Sequence, residues 1–210
     1  MILPALAAFV ISKIIDRTSS RLISICGEKF FIVIASLGII THELSHIMMA
    51  IIFGHKIDSF QLIQLPKEGQ LGYVKHSSDP RNIWQAFGNL LIGFAPMIGN
   101  GFAIYFLTKW LNPRILNGVF VWQWRLVFWL ILTFSLSLGL NLSFADFQNS
   151  LHGSIPALAI LMIAGVLTSL WKINLQVFFL NIIHQEIVIV LIGILLAVIS
   201  YLTSKILSIF

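Results

Sequence analysis

His42, Glu43 and His46 form a His-Glu-Leu-Ser-His block inside an otherwise apolar stretch, Phe30–Phe53 (FFIVIASLGIITHELSHIMMAIIF). In a helix, residues four apart share one face, so both imidazoles can reach one metal ion. Glu43 follows the first histidine and is placed to act as a general base on a water at that metal. Imidazole ligands in this pattern favour zinc. The stretch is 24 residues long, the length of a membrane-spanning helix. An ionisable group in hydrocarbon costs about 2.5–3.5 kcal/mol by insertion measurements, and such groups are functional by default. A lone buried histidine is more often a satisfied core residue, and two could simply line a helix interface. Three ionisable groups within one turn of a spanning helix favour the metal site.

Two histidines do not close such a site, because catalytic zinc takes three protein ligands and keeps a position open for water. Asp146 is the leading candidate for the third. It stands at the end of an apolar segment and is the only acid between Asp79 and Glu186. Its competing role is a helix cap after Ser143. Glu186 is the second candidate, equally well explained as an acid at the N-terminus of a last helix. His55, His76 and His152 lie at segment boundaries without partner spacing and read as interfacial residues.

The elements that must position these groups follow from composition. Of 210 residues, 58% are hydrophobic and 10% charged, and mean hydropathy is +0.95. Soluble domains run near 25% charged, so this is an integral membrane protein, a single domain with no room for a sizeable soluble one. The net charge of +5 comes from Lys and Arg at the ends of apolar segments, which fits membrane anchoring. No basic and aromatic cluster points to nucleic acid. Cys26 is the only cysteine, which excludes an internal disulfide. The N-terminus lacks a basic leader and a clear cleavage site and reads as a retained helix.

Residues 2–15 form a short apolar segment, and Lys13, Asp16, Arg17, Arg21, Glu28 and Lys29 mark a polar connection to the His-Glu helix. Gly54 is a plausible C-cap. Residues 57–76 read as a β-hairpin, with IDSFQLIQL and LGYVKHS as strands around a PKEGQ turn. Further spans are expected over Trp84–Trp110, about Val121–Asn141, Ile155–Trp171 and about Ile187–Ser204. The expected fold class is therefore an all-α polytopic membrane protein with five or six transmembrane helices and a short membrane-associated β-hairpin after the His-Glu-x-x-His helix.

The blocks THELSHIMMAIIFGHKIDSF, LGYVKHS, GNLLIGFAPMIGN and LSFADFQNSLHG, spanning roughly residues 38–153, resemble the successive blocks of the site-2 protease family of intramembrane zinc metalloproteases. The likeness is closest to its small compact bacterial members. It implies zinc held by His42, His46 and Asp146, Glu43 as catalytic base, a hairpin facing the cytosol, and a bacterial plasma membrane. The chain departs from the family in having neither proline nor a following glycine around Asp146, and in Ala95-Pro96-Met-Ile-Gly-Asn100 where the family has Gly-Pro-x-x-Asn.

The chemistry implied is peptide hydrolysis within the bilayer. The expected partners are a membrane protein or peptide substrate and the lipid bilayer, with scope for a regulatory partner. Thr41, Ser45 and Asn141 could line a water path to the site, and the free edge of the 57–76 hairpin could receive an unwound substrate as an added strand. Two other readings use the same motif, a metal-ion transporter and a non-catalytic scaffold that keeps a structural zinc. The other spans show no second ligand pair for an ion path, and a purely structural site has no need of Glu43.

Overall fold

A computed structural model describes residues 2–65, 70–79, 81–117 and 122–170, with single positions at 198 and 202. Among these residues, five α-helices and one hairpin follow in the order α1 (Ile2–Cys26), α2 (Glu28–Ile52), β1 (Lys56–Gln61), β2 (Tyr73–Ser77), α3 (Ile83–Leu111), α4 (Trp124–Leu138) and α5 (Phe144–Leu170). The chain is mostly helical. Among the described residues, three helices are long and apolar enough to cross a membrane, namely α2, α3 and the Phe144–Thr168 portion of α5. The expectation of five or six spans is met only to this extent. The segment about Ile187–Ser204 and the alternative ligand Glu186 lie outside the described residues.

Three boundaries differ from expectation, each for a local reason. The expected polar connection after residue 15 is instead continuous helix to Cys26, because no glycine or proline interrupts residues 5–26. The break comes at Gly27, whose φ of +81° is costly for other residues. The expected span Val121–Asn141 is shortened to α4, 15 residues long, which stops at Gly139. The expected separation of Ser143–Gln148 from a span at Ile155 disappears, since α5 starts at Phe144 and carries Pro156 inside it. Spanning helices tolerate proline where neighbouring groups satisfy the freed carbonyl.

α2 is the central element, packed against α1, α3 and α4, while α3 also packs on α5. Leu22 of α1, Phe31, Ala35 and Ile39 of α2, and Leu138 of α4 form one buried cluster. Ile11 and Ile15 of α1 with Ile104, Leu136 and Leu140 form another. Where α2 meets the end of α4 the backbones touch. A Cβ on Gly38 would overlap the Ser135 carbonyl, and one on Gly139 would overlap the Gly38 carbonyl. This is the small-residue packing that lets apolar helices approach closely in lipid.

The expected hairpin is present. β1 and β2 pair antiparallel from Lys56↔Ser77 to Gln61↔Tyr73, with an irregularity between Ile57 and Ser59. Its base is held at α2 by Gly54, which follows the C-cap Phe53 rather than being the cap itself. His55 N donates to the Ala50 carbonyl at 2.8 Å and Gly54 N to the Ile51 carbonyl at 3.0 Å, with Gly54 at φ +70°. The first turn of α3 closes the other side. Gln85 Nε2 donates to the Gly54 carbonyl at 2.8 Å, and its Oε1 accepts from Asp79 N at 2.7 Å. One glutamine thus ties together the residues entering β1 and leaving β2.

Candidate metal centre

His42 and His46 lie on the face of α2 turned toward α3, α4 and α5, and each is anchored by its Nδ1. His42 Nδ1 lies 3.0 Å from the Gly139 carbonyl at the end of α4. His46 Nδ1 lies 2.9 Å from the Ile92 carbonyl in α3. A carbonyl only accepts, so both Nδ1 atoms carry a proton, and in the neutral rings a metal requires the Nε2 atoms would be the free lone pairs. Metal-binding histidines are commonly oriented by such a bond through the far nitrogen.

The Ile92 carbonyl is free because of sequence. In an α-helix it would accept from the N–H of residue 96, but that residue is proline. His46 takes the vacancy. Pro96→Ala restores the competing N–H and leaves His46 without a sole claim on its acceptor. The expected outcome is a 10- to 100-fold loss of zinc affinity, the range for a lost orienting partner, measured by competition with a fluorescent chelator.

Asn100, fully buried in α3, donates through Nδ2 to the Pro96 carbonyl at 3.1 Å and to the Gly139 carbonyl at 3.0 Å. It therefore fixes the same carbonyl that orients His42. The sequence pointed to Asn100 only as part of a loosened family block, and its contact with the α4 terminus needed the helix packing.

Asp146 is brought to the two histidines by the start of α5. Its Oδ1 lies 3.2 Å from His46 Nε2 and its Oδ2 3.9 Å from His42 Nε2. The competing cap role is also present, in the same side chain. Ser143 N donates to Asp146 Oδ2 at 2.8 Å, and Asp146 N donates to Ser143 Oγ at 3.1 Å. This reciprocal pair is a capping box, and here it aims a carboxylate as well as starting a helix. Cap and candidate ligand are one residue.

The three ligand atoms lie within 4.8 Å of one another, the one such group among the described residues. Ligands about 2.0–2.1 Å from a tetrahedral zinc are about 3.3 Å apart, so two of the distances bracket that spacing and a small closure completes it. Two neutral imidazoles and one carboxylate are a donor set that suits zinc. The residues fit the metal.

Glu43 is 7% exposed and faces the hairpin rather than the helix bundle. A Cβ on Gly72, the residue before β2, would come 2.8 Å from Glu43 Cγ and 2.9 Å from the Leu62 carbonyl oxygen, so glycine is what lets the chain pass this close. His42, Glu43, His46 and Asp146 all open onto one cavity of about 930 Å³. Its wall includes Asp16 of α1, residues 70–76 of the hairpin, and Asn141, Gln148, Asn149 and His152.

Of the expected water path only Asn141 lines this cavity, its Nδ2 3.4 Å from Asp16 Oδ1. Thr41 and Ser45 do not line it. Their hydroxyls bond back to the carbonyls of Leu37 and Thr41 in their own helix, the usual recourse of a hydroxyl in an apolar helix.

His55 and His76, expected to have no partner, meet across the hairpin base with their Nδ1 atoms 3.0 Å apart. They are 21 positions apart, and only strand pairing joins them. Burial, then His55 and then His46, holds the His76 imidazole below the usual histidine range, so it is neutral at pH 7. His152 Nδ1 bonds the Gln148 carbonyl at 2.7 Å within its own helix.

Comparison of the chain with family models, with curated proteins and with solved structures returns no match.

Proposed function

We propose that the chain is an intramembrane zinc metalloprotease of the site-2 protease kind, hydrolysing peptide bonds of membrane-embedded or membrane-adjacent substrates. One observation carries this reading. His42, His46 and Asp146 form a three-ligand group that opens onto the same cavity as Glu43. A zinc ion held there would supply Lewis acidity toward a scissile carbonyl and bring the pKa of a water at the open position toward ~7.

The chain's own residues would do the rest. His42 and His46 are held with their lone pairs toward the site by the Gly139 and Ile92 carbonyls. Glu43 would take the proton of the attacking water and pass it to the leaving amine. Its place between α2 and the hairpin puts it beside any chain laid along β2. β2 pairs with β1 on one edge, and residues 70–76 line the cavity. An unwound substrate segment could therefore recover lost helical hydrogen bonds by pairing with the other edge of β2.

The test is cleavage of model transmembrane peptides by the purified chain in liposomes. A strong zinc chelator should abolish cleavage, and added zinc should restore it. Cleavage that persists in metal-free protein would sink the proposal.

A further inference from the structure

For a pair of neutral rings, the hydrogen bonds of His55 and His76 decide where their protons reside. His55 Nε2 lies 2.9 Å from the Gln85 carbonyl, which only accepts, so His55 is protonated there and bears a lone pair on Nδ1. His76 Nδ1, 3.0 Å away, must then be the donor. A neutral His76 is left with its lone pair on Nε2, at the cavity wall, 3.4 Å from Asn149 Nδ2. That contact is longer than a good N–H donor bond, so both atoms have capacity for a better partner.

Their position suits a peptide. Asn149 follows Asp146 by three residues in α5, a rise of about 4.5 Å. An extended chain advances about 3.3 Å per residue, so a residue held at Asn149 lies one or two residues from the one at Asp146. In an extended strand the N–H and C=O of one residue point to the same side. An acceptor beside a donor is the complement of that pair.

We propose that His76 Nε2 and Asn149 Nδ2 are a substrate-positioning pair that binds the N–H and C=O of one residue of an extended peptide, one or two residues from the scissile bond. His55 acts through His76, holding its lone pair toward the cavity. The role rests on the proteolytic reading above.

The test uses the zinc-loaded full chain in detergent and an apolar tetrapeptide capped by a hydroxamate. Single amides of this probe are N-methylated in turn, and binding is measured by calorimetry. In the unmodified protein, methylation at one position near the hydroxamate should weaken binding about 3- to 10-fold, the worth of one hydrogen bond. The penalty at that position should vanish in His76→Phe and persist in His76→Gln, which keeps an acceptor, with zinc at one per chain throughout. If His76→Phe fails to fold, Asn149→Ala should weaken the parent probe by a similar factor without loss of zinc. An equal penalty in His76→Phe, or zinc falling from two per chain to one in that variant, would overturn the role. The second result would make the histidine pair a metal site. Zinc-loaded protein that binds none of the probes would overturn the proteolytic reading itself, and this role with it.

Discussion

Replacing Glu43 by glutamine is expected to remove peptide cleavage while leaving bound zinc in place. Glutamine matches glutamate in shape, so the close packing against Gly72 survives. Neither histidine depends on the Glu43 carboxylate for orientation, because both are anchored on carbonyls of other helices. What the substitution removes is the ability to take a proton from water. General-base contributions run about 10²- to 10⁴-fold, and a loss within that range is expected. Among the described cavity-lining residues, the other carboxylates are the candidate ligand Asp146 and the distant-helix Asp16. The measurement is cleavage rate beside zinc content on the same preparation. Full activity in Glu43→Gln would sink the assignment of the base, whatever the zinc content.

The second large effect is on the metal itself. The intact chain should bind about one zinc, and His46→Ala or Asp146→Ala should lose it. Removing a ligand must cost more than the 10- to 100-fold that an orienting partner is worth. Asp146 requires a control, because its carboxylate also closes the capping box with Ser143. Ser143→Ala removes the hydroxyl half of that box and none of the ligand atoms. It should lower stability by about 1 kcal/mol, the usual worth of a cap, and retain zinc near one per chain. Loss of zinc in both Ser143→Ala and Asp146→Ala would mean that the start of α5, rather than the carboxylate, is what matters. Zinc retained in Asp146→Ala would move the third ligand elsewhere, with Glu186 the next to test.

How much of this was legible in the chain differs from residue to residue. The pairing of His42 with His46 is local, since four residues of helix place both on one face, and no tertiary contact is needed. The membrane character of α2 and α3 is likewise local, a matter of apolar length. The hairpin followed from β-compatible runs around a turn, but β1 ends at Gln61 rather than at Leu65 and β2 begins at Tyr73 rather than at Leu71. The helix ends at Gly27 and Gly54 are decided by one residue each, because positive φ is cheap for glycine. The charged residues of α1 misled, since a helix carries charge on one face without breaking.

The rest depended on contacts between residues far apart in the chain. That Asp146 reaches His46, 100 positions away, was open at the level of sequence, where a cap and a ligand look alike. The meeting of α3 with α5 turned it into both. Pro96 read as a residue tolerated in a spanning helix. Only the approach of α2 showed that the carbonyl it frees is the one that orients His46. The same holds for the Gly139 carbonyl, shared by His42 and Asn100, and for the encounter of His55 with His76. Spacing along a helix sets which side chains share a face. Which backbone carbonyl or carboxylate lies opposite that face is set by how helices pack, and in this chain glycine contacts such as Gly38 with Gly139 permit that approach.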